Sequence, residues 1–149
     1  MYHLKQHVFY LFLASLLVLQ GCASAPMASN AEDQRAKQFK PASGKASIYV
    51  YRNETMGAAL SKSVTINGRM AGTTAADTYF WFHVKPGTYK IVSDNNLDNA
   101  ITIKAKAGKN YFIWQEMKMG LLVGGTQLSV VDEKTGRNGV LECKLIRQN

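Results

Sequence analysis

The chain is poor in the side chains that hard chemistry needs. Its 149 residues include two cysteines, three histidines and three prolines. Two of the histidines, His3 and His7, fall among the first ten residues, which leaves His83 and Cys143 as the soft ligands of the folded part. A structural or catalytic zinc site needs three or four Cys, His, Asp or Glu ligands. No such set is spaced for it, so neither a metal nor a cofactor is expected. No Gly-x-Ser-x-Gly elbow is present. Asp77 and His83 stand six apart on a strand-like stretch, which would separate them by roughly 20 Å, too far for a triad. The run Gly120-Leu121-Leu122-Val123-Gly124-Gly125 lacks the lysine and the following helix of a phosphate-binding loop. Acidic residues fall at turns (Asp94, Asp98, Asp132, Glu133), where they accept backbone hydrogen bonds. Glu116 is the one carboxylate inside an aromatic strand, with a facing lysine as its expected partner. These shortages predict a protein that is not an enzyme. Basic residues form no dense run either, which argues against nucleic acid as a partner.

Long hydrophobic runs are also missing. Residues 8–19 are apolar except for Ala14 and Ser15, which is too short for a membrane-spanning helix. Lys5 precedes that run and small residues follow it, the shape of a secretory signal. Leu19-Gln20-Gly21-Cys22 then resembles the lipobox of bacterial lipoproteins: Leu19, Gly21 and Cys22 fit, while Gln20 is a less usual residue at its position. The resemblance implies that Cys22 receives a diacylglycerol, that residues 1–21 are cut away, and that the new amino terminus is acylated with palmitate. Three chains give effectively permanent attachment, since each buried methylene contributes roughly 0.8 kcal/mol and one chain holds a protein only marginally. An Asp after the cysteine favours inner-membrane retention in such lipoproteins. Ala23 and Ser24 stand here, so the expected location is the outer membrane, lipid-anchored and facing the periplasm.

The net charge is +8. With Lys5 removed, 17 basic residues face 10 acidic ones, a balance suited to an anionic membrane or polymer. Removal of the signal leaves a chain long enough for a tether and one small domain. Residues 22–45 hold Ala, Ser, Asn, two prolines and several charges, with Phe39 nearly alone as a large apolar group. That composition predicts a lipidated flexible tether, with a frayed helical piece at 31–39. With Cys22 acylated, Cys143 has no partner for an intrachain disulfide. Read as a strand over 140–146, its surroundings place Leu141, Cys143 and Leu145 on one buried face.

From Ala46 the composition becomes that of strands. Residues 47–52 form the first. Residues 63–66 lead into Asn67-Gly68, the pair that a two-residue type I′ hairpin demands, and the chain returns from Arg69. Residues 78–84 are apolar on both faces, as in a covered central strand. Lys85-Pro86-Gly87 turns into residues 88–93, and residues 100–106 alternate, with Ile101, Ile103 and Ala105 on one face. Residues 111–117 and 127–131 supply further strands. Gly136 and Gly139 argue against a long terminal helix, leaving one turn near Asp132 and a last strand at 140–146. Short strands with frequent turns predict an all-β fold, a small antiparallel β-sandwich over 46–149.

Ile48-Tyr49-Val50-Tyr51-Arg52, the Asn67-Gly68 hairpin, Tyr79-Phe80, Pro86-Gly87-Thr88-Tyr89 and Ala107-Gly108-Lys109-Asn110-Tyr111 together resemble a bacterial lipoprotein domain family of unknown function (number 2846). The Pro-Gly-x-Tyr turn is similar to that of the PEGA-like small sandwiches. The resemblance implies a β-sandwich behind a lipobox and brings no catalytic residues.

Aromatic residues crowd three of the strands. Successive strand positions face opposite sides, so they cannot all point into one core. An outward Tyr89 or Trp114 beside Lys90 or Lys104 would form a binding platform. The function expected is a non-enzymatic outer-membrane lipoprotein whose sandwich binds another envelope protein or acts as an assembly accessory. The alternative is a binding module for an anionic or saccharide polymer, peptidoglycan or lipopolysaccharide. The oligomeric state is left open.

Overall fold

The computed structural model describes residues 25–119 and 124–148. The signal, Leu19, Gly21, Cys22 and Gly120 lie outside the described residues. Within them the chain forms a helix α1 (Asn30–Ala36) and then strands β1 (Ala46–Arg52), β2 (Lys62–Ile66), β3 (Arg69–Thr74), β4 (Thr78–Val84) and β5 (Gly87–Ser93). A 3-10 turn (Leu97–Asn99), β6 (Ile101–Ala105), β7 (Asn110–Met119), β8 (Gly124–Val131), α2 (Glu133–Glu142) and a short β9 (Lys144–Leu145) complete it.

The strands build two sheets, a five-stranded one in the order β8-β7-β1-β4-β9 and a four-stranded one in the order β3-β2-β5-β6. This is the all-β sandwich that the strand spacing predicts. The smaller sheet is antiparallel throughout. The larger one is mixed rather than antiparallel as expected, because β1 pairs antiparallel with β4 but parallel with β7, and β9 runs parallel to β4. Asn67 and Gly68 adopt φ of 49° and 75° at the β2–β3 turn, the left-handed pair that a type I′ hairpin requires.

Strand alternation divides the larger sheet into two apolar faces. Ile48, Val50, Phe80, Ile113 and Leu128 point at Val64, Ile91 and Ile103 of the smaller sheet. Tyr49, Tyr51, Tyr79 and Phe112 point the other way and pack with Ala36, Phe39, Val140, Cys143 and Leu145. Every residue of β1 is buried, which explains why its sequence shows no polar alternation. The aromatic residues therefore fill two cores, one between the sheets and one under the helices.

Two further expectations fail here. The flexible tether does not extend over the described residues 25–45, which are part of the domain. Ser29 caps α1 in a reciprocal capping box with Glu32, and Ala36 and Phe39 are buried against the aromatic face. Upstream, Met27 makes an antiparallel bridge with Ile146, so the entering chain lies beside β9. Composition undervalued a segment whose Ala28, Ala36 and Phe39 land on one covered face. The second correction concerns the C-terminus, where only Lys144–Leu145 of the expected strand over 140–146 is strand, because a helix runs to Glu142. Asp132 caps α2, which runs through both glycines. A Cβ on Gly136 would overlap the Phe112 ring, and one on Gly139 the Tyr51 ring. The glycines are there for close packing, at a propensity cost of about 1 kcal/mol each. Cys143 is buried as expected, but Leu141 is exposed on the helix.

Candidate functional site

The four residues expected to form a platform do not meet. Tyr89 is half-buried against the inter-sheet core, with its hydroxyl donating to the Lys85 carbonyl at 2.9 Å. Lys90 and Lys104 are exposed on the opposite face of the smaller sheet, aligned with Thr102 and Thr88 respectively. Trp114 belongs to the other sheet and packs toward the helices. The aromatic face that would have supplied the platform is covered by α1 and α2.

The groups capable of chemistry are also kept apart. His83 is exposed at one end of β4, whereas Asp77 precedes the other end. Partial burial, together with the charges of Lys45 and Arg35, pushes the His83 imidazole below its usual pKa, which favours the neutral form. Its ring lies 4.0 Å from that of Trp81. Cys143 is 1% exposed and its sulfur contacts the Arg52 carbonyl at 3.4 Å. Burial, then Asp77 and Glu142, push its thiol up to about 12, so the thiolate that reactivity requires is scarce at neutral pH. Glu116 pairs with Lys118 at 2.6 Å, a lysine two residues along the same strand. Among the described residues no three His, Cys, Asp or Glu side chains come together to hold a metal. Within them, no helix is long and apolar enough to cross a membrane.

Several features escaped the sequence. Asp33, read as a tether residue, joins three parts of the fold. Its Oδ1 accepts from the Tyr79 hydroxyl and from the Leu145 N–H, both at 2.9 Å, and its Oδ2 accepts from Lys37 Nζ at 2.8 Å. Arg52 is fully buried and donates to the carbonyls of Met56, Gly57 and Leu60, which fixes the loop after β1. Between the sheets, Gln115 accepts from Thr74 at 2.5 Å and donates to Ser93 at 2.6 Å, and Thr126 donates to Ser93 at 2.7 Å. A charged or amide residue inside an otherwise apolar strand was the available signal for Arg52 and Gln115.

A cleft of about 280 Å³ opens between α1 and the C-terminal residues, lined by Glu32, Arg35, Trp81, His83, Arg147 and Gln148 among others. It sets an aromatic ring beside two guanidinium groups.

The second candidate surface is the outer edge of β8. Glu54 accepts from the Met117 N–H, and Asn99 donates to the Thr126 carbonyl at 2.6 Å. Both groups therefore point away from the β7–β8 ladder, although Met117 and Thr126 are partners in it. Antiparallel alternation then directs the N–H and C=O of Leu128 and Val130 outward as well. Two of the other three edges are covered. The chain at Met27 covers β9. Tyr111 caps β6 by donating to the Lys104 carbonyl and accepting from the Lys106 N–H. At β3, a register shift between Val64 and Thr65 of its partner disturbs the ladder. By contrast, β8 carries no charged residue over eight positions, and Val130 is 58% exposed. Edges of this kind invite pairing with another strand.

The family model described as a protein of unknown function (DUF2846) matches residues 42–126, from just before β1 into β8. An uncharacterized protein of Haemophilus influenzae is 40% identical over 131 residues, covering 87% of this chain and 78% of that protein. No solved structure matches significantly.

Proposed function

Because the chain belongs to the DUF2846 family of proteins of unknown function, whose membership carries no activity, we propose a role from its own surfaces. It is a non-enzymatic lipoprotein of the bacterial outer membrane, held by lipid on Cys22 and facing the periplasm. Its sandwich takes an extended segment of another envelope protein along β8, as an adaptor or assembly accessory. The outward, uncharged backbone edge at the exposed Val130 carries this reading, since main-chain bonds supply affinity without a catalytic group. The buried thiol and the isolated imidazole support a binding role over a chemical one. The anchor is supported by Leu19-Gln20-Gly21-Cys22.

The test places a photo-cross-linking residue at the exposed Gln127 in the full chain, in intact cells, with Cys22→Ser as the mislocalised control. One dominant protein partner, lost in the control and in Val130→Pro, is expected. Proline at 130 removes an outward N–H and no ladder bond to β7, so the fold persists while the partner strand loses a donor. A partner retained by Val130→Pro would overturn the edge reading.

The Arg35–Arg147 cleft beside Trp81 favours a second reading, a module for peptidoglycan or lipopolysaccharide. In that case the same experiment enriches saccharide fragments, and capture weakens as salt rises.

A further inference from the structure

The charged residues of this domain are sorted by end. Ala46 aligns with Val84, Ser47 with Asn110, and Gly87 with Ala105. The loop before β1, the β4–β5 turn and the β6–β7 turn therefore gather at one end of the sandwich. They carry Lys40, Lys45, Lys85, Lys106 and Lys109, all exposed. Backbone bonds hold them together: Gly108 N–H donates to the Lys45 carbonyl at 2.8 Å, and Ser47 N–H to that of Lys109 at 3.0 Å. The acids on this side are engaged locally, Asp132 in capping α2, Glu32 in capping α1 and Glu133 with Arg137.

The opposite end has the reverse character. Glu54, Asp77, Asp94, Asp98 and Glu142 lie in or beside its loops. Of the cations there, Arg52 is buried, and Lys62 and Lys118 are paired with Asp94 and Glu116. Lys144 is the exposed exception.

The chain enters at the basic end. Since β9 runs parallel to β4, the residues after it head toward Val84, and Gln148 donates to the Trp81 carbonyl. Arg147 N–H donates to the Pro26 carbonyl at 2.7 Å, and Ala28 N–H to that of Leu145 at 2.9 Å. Pro26 thus lies nearer the basic end than Ala28. Cys22 stands only three residues before Ala25, a span of at most about 11 Å when extended. That is close to the screening length of about 8 Å at physiological salt.

We propose that the domain stands on the lipid surface through this basic pole. Lipid on Cys22 enters the bilayer, and Lys45, Lys85, Lys106, Lys109 and Arg147 face the phosphates of anionic headgroups. The acidic pole points away, and β8 rises from the surface with its free edge accessible. The inference rests on the proposed lipidation but makes a separate claim, since a lipid anchor on a long tether would leave orientation free.

The experiment uses the full-length lipidated protein in phosphatidylcholine vesicles containing phosphatidylglycerol and a lipid with a nitroxide on its headgroup. One fluorophore is attached at Ala107→Cys, at the basic pole, or at Leu97→Cys, at the acidic pole. Cys143 is buried, and Cys22 is blocked by its lipid. Quenching several-fold stronger at 107 than at 97 is expected, with the ratio falling toward one in high salt and in a Lys45, Lys85, Lys106, Lys109→Glu variant. Equal quenching at both sites, in protein that still floats with pure phosphatidylcholine vesicles, overturns the orientation and leaves the anchor standing. Failure to float overturns the anchor, and the orientation with it.

Discussion

Asp33 shows how much one carboxylate can do when its neighbours come from distant parts of the chain. It receives a phenol from β4, a backbone N–H from β9 and an ammonium from its own helix. Hydrogen bonds to charged groups contribute about 1.5–3 kcal/mol each to stability, and their loss strands the partners. Asp33→Ala is therefore expected to destabilise the domain by about 2–3 kcal/mol, read as a lower urea midpoint with an unchanged slope. In the sequence Asp33 is indistinguishable from any solvated acid, because its partners lie 46 and 112 positions away.

The buried phenols and the thiol set the alkaline limit. Tyr49 and Tyr79 are pushed well above the usual tyrosine range by burial, and Asp33 adds to the effect on Tyr79. Tyr51 is raised to about 12, and Cys143 likewise, chiefly by burial. In the unfolded chain these groups release protons near their ordinary values, about 10 and about 8.5, while the folded chain retains them. The unfolded state then binds fewer protons, so stability falls as pH rises. Full stability is expected below about pH 8.5, followed by a decline through pH 9–12. Circular dichroism should be lost together with the appearance of tyrosinate absorbance. In a chain starting at Ala25 with Tyr89→Phe and Tyr111→Phe, where only Tyr49, Tyr51 and Tyr79 remain, tyrosinate appearing at pH 10 with the fold intact would contradict the burial of these groups.

At the scale of elements, the strands over 46–131 were legible, and of the helices only α1 was, as a frayed piece at 31–39. Thr78–Val84 agrees with the expected strand at both ends, because apolar side chains on both faces and Lys85-Pro86 leave little choice. The Asn67-Gly68 turn is equally determined by local geometry. For α1 the signal existed, since Ser29 and Glu32 have capping-box spacing, but the low apolar content outweighed it. For α2 the glycines misled, because their reason lies in the rings of Tyr51 and Phe112, which no local pattern reveals. Gly139→Ala tests this. On a solvent-facing helix the change would stabilise by about 1 kcal/mol. Here the added methyl must displace the Tyr51 ring, and overpacking of this kind costs about 1–3 kcal/mol. A net loss of thermal stability is expected, and a gain would mean that α2 does not lie so close to β1. The candidate platform failed for a related reason: strand parity told which residues share a face, but not that two helices cover that face.

For the whole molecule, the question is where the folding unit begins. Composition places the boundary at Ala46, and the family match begins nearby, at residue 42. The structure puts Ala36 and Phe39 in the core shared by Tyr49, Tyr79 and Phe112, and Tyr49 donates its hydroxyl to the Ala36 carbonyl at 2.9 Å. Removing residues 25–45 would strip cover from three buried rings and leave two phenols without acceptors. Fully burying one large apolar side chain contributes about 1.5–3 kcal/mol, and each orphaned buried polar group costs about 1–3 kcal/mol. Those losses together approach the 5–15 kcal/mol that holds a typical domain folded. A chain starting at Ala46 is therefore expected to expose apolar surface and bind a hydrophobic dye, while one starting at Ala25 unfolds cooperatively. Cooperative unfolding of the shorter chain with an unchanged midpoint would restore the segment to the status of a tether. It would also remove the short connection on which the membrane-facing orientation depends.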